Sequence, residues 1–130
     1  MPNRPSDKEL TKKLWGARNL LGSVGYLAAD PDRLLGFFTE LSLFSDDEQN
    51  DALKAAFTEV TASDYRGRRP PEKSFEPATR DEELFAFVWD STYFGRRMYL
   101  KFCMPIEDKK GKTLFLHSLH VDRPSQRGTR

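Results

Sequence analysis

Arginine, lysine, tyrosine and histidine are the side chains that can grip a phosphodiester and move its protons, and this chain concentrates them near its C-terminal end. The run Gly95-Arg96-Arg97-Met98-Tyr99-Leu100-Lys101-Phe102 reads as a β-strand with two arginines, a tyrosine and a lysine among large apolar residues. A later strand-like run ends Ser118-Leu119-His120. RNA cleavage without a metal needs a base for the 2′-hydroxyl, an acid for the leaving 5′-oxygen, and cations for the phosphate. His120 suits either proton-transfer role, because imidazole titrates nearest neutrality. Tyr99 could orient the phosphate or donate to it. Arg66, Arg68, Arg96, Arg97, Lys101 and Arg123 could supply charge, with Arg favoured for its planar fork. An RNA-cleaving or RNA-binding surface is the leading expectation.

Each of these residues has a plainer reading. A strand Tyr or Lys usually keeps its polar tip in water. A lone strand His is more often structural or merely exposed. The Arg66–Arg69 cluster reads equally well as a solvated loop. Trp15 and Trp89 read as core. No metal or cofactor site is expected: one Cys and two His three apart do not make a zinc set, and there is no Gly-rich phosphate loop. Asp46, Asp47, Glu48 and Asp51 sit where acids complement a helix dipole, so they read as capping.

Composition limits the alternatives. A chain of 130 residues, 38% hydrophobic and 12% aromatic, has enough bulky apolar surface to order one domain. The net charge of +1 hides local clusters of both signs, so an anionic partner is not excluded. The single Cys103 cannot form an internal disulfide and reads as a buried hydrophobe in a reducing compartment. No stretch approaches a membrane span, and Met1-Pro2-Asn3-Arg4-Pro5 lacks a signal peptide's apolar run, so the cytoplasm is expected.

The elements that must position these residues follow from caps and periodicity. Ser6-Asp7-Lys8-Glu9 has the form of a capping box, with Leu10, Leu14, Ala17 and Leu21 at helical spacing behind it and Gly22 as a stop. Asp30-Pro31 opens a second helix with Leu34, Phe37, Phe38 and Leu41 inward. Ser45-Asp46-Asp47-Glu48 opens a third, with Leu53, Ala56, Phe57 and Val60 on one stripe. Residues 61–80 read as a long basic loop, broken by Pro70, Pro71 and Pro77. Strands are expected over 84–89, 97–104 and 113–121, the last two joined by the charged connection 107–112. Alternation puts Met98, Leu100, Phe102 and Met104 on one face, and Arg97, Tyr99, Lys101 and Cys103 on the other, at least partly open face. A regular final strand would place His120 with Ser118, Leu116 and Leu114, and His117 opposite. Only one histidine could then join Tyr99. The expectation is an α+β domain over residues 1–121, with the helices on one face of an antiparallel sheet of about three strands, followed by a basic tail over 122–130.

The order of pieces from Leu53 to His120 resembles the RelE-like mRNA interferase toxins, the MqsR family in particular. There a helix ends in Ser-Asp-aromatic-basic, a strand carries Gly-x-Val-Tyr-Leu-Lys, and a last strand closes Ser-Phe-Lys. The matching pieces here are Ser63-Asp64-Tyr65-Arg66, Gly95 to Lys101, and Ser118-Leu119-His120. The resemblance implies a metal-independent endoribonuclease with Tyr99, His120 and Arg66 as catalytic residues. His120 falls where the family has a lysine. Arg66 is offset by one from the family's basic residue, so Arg68 competes with it. The family's glutamine has no equivalent, since Phe85 or Phe87 occupies that region. RNA, free or ribosome-bound, and a cognate antitoxin are the partners implied. A non-catalytic module gripping RNA or protein through the same surface is the alternative.

Overall fold

The computed structural model describes residues 5–67, 72–104 and 113–123. Arg68, the connection 107–112 and tail residues 124–130 lie outside them. Among the described residues the fold is α+β: three α-helices, α1 (Asp7–Ser23), α2 (Pro31–Glu40) and α3 (Asp46–Glu59), precede most of a four-stranded sheet. Its strands are β1 (Leu27–Ala28), β2 (Phe85–Ser91), β3 (Arg96–Cys103) and β4 (Phe115–Val121), in the order β1-β4-β3-β2.

Each helix begins at its expected cap. The Ser6 hydroxyl accepts from the Glu9 N–H, the Asp30 carboxylate accepts from the Arg33 N–H with Pro31 following, and Ser45 and Glu48 form a complete capping box. Leu10, Leu14, Ala17 and Leu21 are buried on α1, and Leu53, Ala56 and Phe57 on α3. The Arg18 guanidinium donates to the carbonyls of Phe57 and Val60, which binds α1 to the end of α3 and satisfies carbonyls that the helix leaves without partners.

Met98, Leu100 and Phe102 are fully buried, and Phe57 of α3 meets Phe102 edge-on at 5.1 Å. Met104 lies beside Gly16 of α1. This face of the sheet therefore carries the main core. Trp89 is buried in it, whereas Trp15 is 63% exposed. Trp15 sits one position past Leu14 and so turns away from the buried stripe, which corrects the expectation of two core tryptophans.

The sheet is mixed rather than wholly antiparallel, because the two-residue β1 runs parallel to β4. A strand that short has no readable alternation, so it adds a fourth strand to the three that the sequence pattern predicts. The long loop also has structure. Tyr65 bridges to Phe87 with its ring edge-on at 5.7 Å, and Arg66 N–H donates to the Ala86 carbonyl. A Cβ on Gly67 would sit 2.5 Å from the Tyr65 hydroxyl, so any larger residue there forces the Tyr65 ring to shift. Residues 72–84 then form a lobe, closed by a bridge between Lys73 and Glu83.

Candidate functional site

β3 and β4 pair antiparallel with Tyr99 opposite His120, and their rings stack with centroids 4.9 Å apart and planes 20° from parallel. Both residues are half-buried. The Phe37 ring of α2 contacts the same imidazole at 4.8 Å. While α1 and α3 serve the Met98 face, α2 thus reaches the Tyr99 face beside β4.

The His120 imidazole is oriented from within its own strand. Its Nδ1 lies 2.7 Å from the Val121 carbonyl, which can only accept, so Nδ1 carries a proton and Nε2 is the acceptor of the neutral ring. Burial depresses the His120 pKa below the ordinary imidazole value. Val121 O, Glu40 and Asp122 pull it upward, and Arg123 pushes it further down. The neutral ring therefore dominates at pH 7, with Nε2 ready to take a proton.

The register shifts between Lys101 and Phe102, because Lys101 pairs with Ser118 and Phe102 with Leu116. His117 is the extra residue of a β-bulge. Leu116 and Leu114 consequently join the core instead of sharing a face with His120, and His117 does not point away from the Tyr99 face. Its Nε2 lies 3.6 Å from Cys103 Sγ and 3.2 Å from Thr79 Oγ1, which in turn bonds to Ser74 at 2.8 Å. All four residues are buried. Burial drives the His117 pKa down to about 4, with Lys101 and Arg33 adding to the effect, and pushes the Cys103 thiol up to about 12. This network fixes the lobe to the sheet with a neutral histidine and an inert thiol.

The Tyr99 face is accordingly more covered than alternation alone suggests. Val88 and Ala86, which pair with Tyr99 and Lys101, are buried, as are Cys103, His117 and Ser118. Tyr99, Lys101 and His120 are half-buried, and Arg97 is exposed.

The expected cations are only partly gathered. Arg97 lies on this face but pairs with Asp90 at 3.1 Å and Asp122 at 3.6 Å. Arg123 pairs with Glu40 at 2.8 Å, beside His120. Arg96 is exposed on the Met98 side of the strand's alternation, so it does not share the Tyr99 face. Arg66 does not converge with Tyr99 and His120. It lies outside β2, about 10 Å in backbone from β3 and about 14 Å from β4 at ordinary strand spacing. Its guanidinium donates to the carbonyls of Ser63 and Tyr65. Sheet order, which no single segment encodes, separates it from the pair.

Two contributors have roles that the sequence does not reveal. Glu59, near the end of α3, accepts from Trp89 Nε1 at 2.9 Å and Ser91 Oγ at 2.6 Å, and from the amides of Thr92 and Tyr93 at 3.0 and 2.9 Å. Burial alone would raise its pKa, but these four bonds together lower it. The carboxylate holds the turn between β2 and β3, where Gly95 takes a φ of +70° that suits glycine. Phe37 is the other: periodicity marks it as apolar and inward, without revealing that it meets His120.

Among the described residues, no three His, Cys, Asp or Glu side chains are grouped as metal ligands, and no helix is long and apolar enough to cross a membrane. Comparison of the chain with protein-family models, curated proteins and solved structures found no match in any of the three.

Proposed function

We propose that Tyr99 and His120 form the reactive centre of a metal-independent endoribonuclease, the toxin of a toxin–antitoxin pair acting in the cytoplasm. The observation that carries this reading is the stacked pair itself: a tyrosine beside a histidine whose Nδ1 is committed to Val121, leaving Nε2 to accept. His120 Nε2 takes the 2′-hydroxyl proton as the 2′-oxygen attacks phosphorus. The bond to the 5′-oxygen breaks, that oxygen takes a proton from water, and the proton held on Nε2 returns to the solvent. The products are a 2′,3′-cyclic phosphate and a 5′-hydroxyl end. Tyr99 orients the phosphate or donates to it. Lys101, Arg97 and Arg123 supply charge, the two arginines by exchanging a carboxylate partner for the phosphate. Arg66, Arg68 and Arg96 would contact RNA away from the scissile bond. The scheme holds for free or ribosome-bound RNA, and a cognate antitoxin would act by covering the pair.

Purified protein is expected to cut single-stranded RNA in EDTA, leaving 5′-hydroxyl ends. His120→Ala should slow cleavage by roughly 10²- to 10⁴-fold, the usual contribution of a positioned acid or base. Undiminished cleavage by that variant would refute the assignment. The ion pairs of Arg97 and Arg123 favour a second reading, a non-catalytic module that binds RNA or protein, because matched charges weaken the field offered to a phosphate. Tight RNA binding without cleavage, on or off the ribosome, would select that module.

A further inference from the structure

Phe37 projects from a helix that is fixed on both sides of it. Leu34 and Phe38 are buried in the core, and Glu40 pairs with Arg123 at 2.8 Å, three residues beyond His120. The Phe37 ring stands 4.8 Å from the imidazole at a 46° tilt, while Tyr99 stacks on that imidazole at 4.9 Å. The Val121 carbonyl holds Nδ1. Two rings and one hydrogen bond thus restrict the only side chain of this pair able to take a proton at neutral pH. We infer that Phe37 is the positioning residue of His120, holding its ring against Tyr99 and keeping water from it so that Nε2 keeps one direction. The inference rests on the nuclease reading for its catalytic consequence, but its structural content does not.

The charged and titratable groups around His120 are Arg123, Glu40 and Asp122, with Arg97 lying on Asp122 and Tyr99 on the ring. None of them is removed by changing Phe37. Truncating it admits water, which relieves desolvation, the largest influence on the imidazole. The His120 titration should then move up, and the acid limb of the rate profile with it.

The test combines an NMR titration of His120 with cleavage kinetics of the full chain on single-stranded RNA. Phe37→Ala is expected to raise the His120 midpoint and lower kcat by about 10- to 100-fold with KM little changed, as loss of orientation does. Phe37→Leu should restore most of both. Leu35→Ala, on the exposed side of the same helix, should change neither. If Phe37→Ala fails to fold, Phe37→Val should shift both quantities in the same directions. A His120 midpoint that stays put in the folded truncation overturns the inference. If His120→Ala cleaves normally, the nuclease reading fails, and the titration still decides whether Phe37 positions the ring.

Discussion

Removing the Glu59 carboxylate should unfasten the turn that leads into the Tyr99 strand. The carboxylate lies near the C-terminal end of α3, where the helix dipole disfavours negative charge, so its hydrogen bonds must offset that cost. Two of its four donors belong to buried residues, Trp89 at 3% and Ser91 at 6% exposure. Glu59→Ala strands both, at about 1–3 kcal/mol each. The amides of Thr92 and Tyr93 belong to exposed residues and can turn to water at little cost. The expected loss is therefore about 2–6 kcal/mol. At an unfolding entropy of about 2.1 cal/mol/K per residue, 130 residues give roughly 0.27 kcal/mol/K, so 3 kcal/mol lowers Tm by about 11 °C. Calorimetry reads this directly, with Thr58→Ala, at the exposed neighbouring position, as control. A Tm for Glu59→Ala within about 2 °C of wild type, below the range expected of that loss, refutes the reasoning. The acid dependence has a fixed sign. A carboxyl whose folded pKa is depressed contributes stability above its unfolded value, about 4.3, and loses it as pH falls through the folded pKa. Glu59→Gln should flatten that acid limb.

Three further outcomes are expected. With a folded pKa of about 4 against about 6.5 unfolded, His117 contributes stability that is complete above pH 6.5 and declines as pH falls toward 4; urea midpoints should show about 2 kcal/mol lost between pH 7 and pH 5, absent from His117→Asn. Cys103 should react with a thiol reagent only at the rate of unfolding, since it is buried with its pKa up near 12; rapid native-state modification would contradict this. Gly67→Ala should destabilise by about 1–3 kcal/mol in urea unfolding, because the Tyr65 ring it strikes is itself buried against Phe87; a neutral result would mean the ring can move.

Helix starts were legible because caps are local chemistry: Ser6, Asp30 and Ser45 each accept from a backbone amide three residues on. The buried stripes on α1 and α3 were legible for the same reason, since 3.6-residue periodicity needs no distant partner. β3 alternated as expected, with Met98, Leu100 and Phe102 inward. Legibility ended where pairing begins. The bulge that turns His117 toward Cys103 arises from matching two strands, and alternation within β4 alone gives the wrong partner for every residue before it. The resemblance groups Arg66 with Tyr99 by the order of pieces along the chain, yet the sheet order puts β2 and β3 between Arg66 and His120. Glu59 reads as an ordinary helix-end acid until the β2–β3 turn arrives beneath it. What survives this filter is the contact between Tyr99 and His120, the one candidate pairing that strand register alone could have broken and did not. A one-residue slip of β4 would have sent His120 into the core face and brought a leucine or valine against Tyr99 instead. The buried Leu119 and Leu116 opposite Leu100 and Phe102 exclude that slip, since it would turn both leucines out of the core. Core packing therefore fixes the geometry of the candidate site, so substitutions at Leu119 should disturb His120 without touching it.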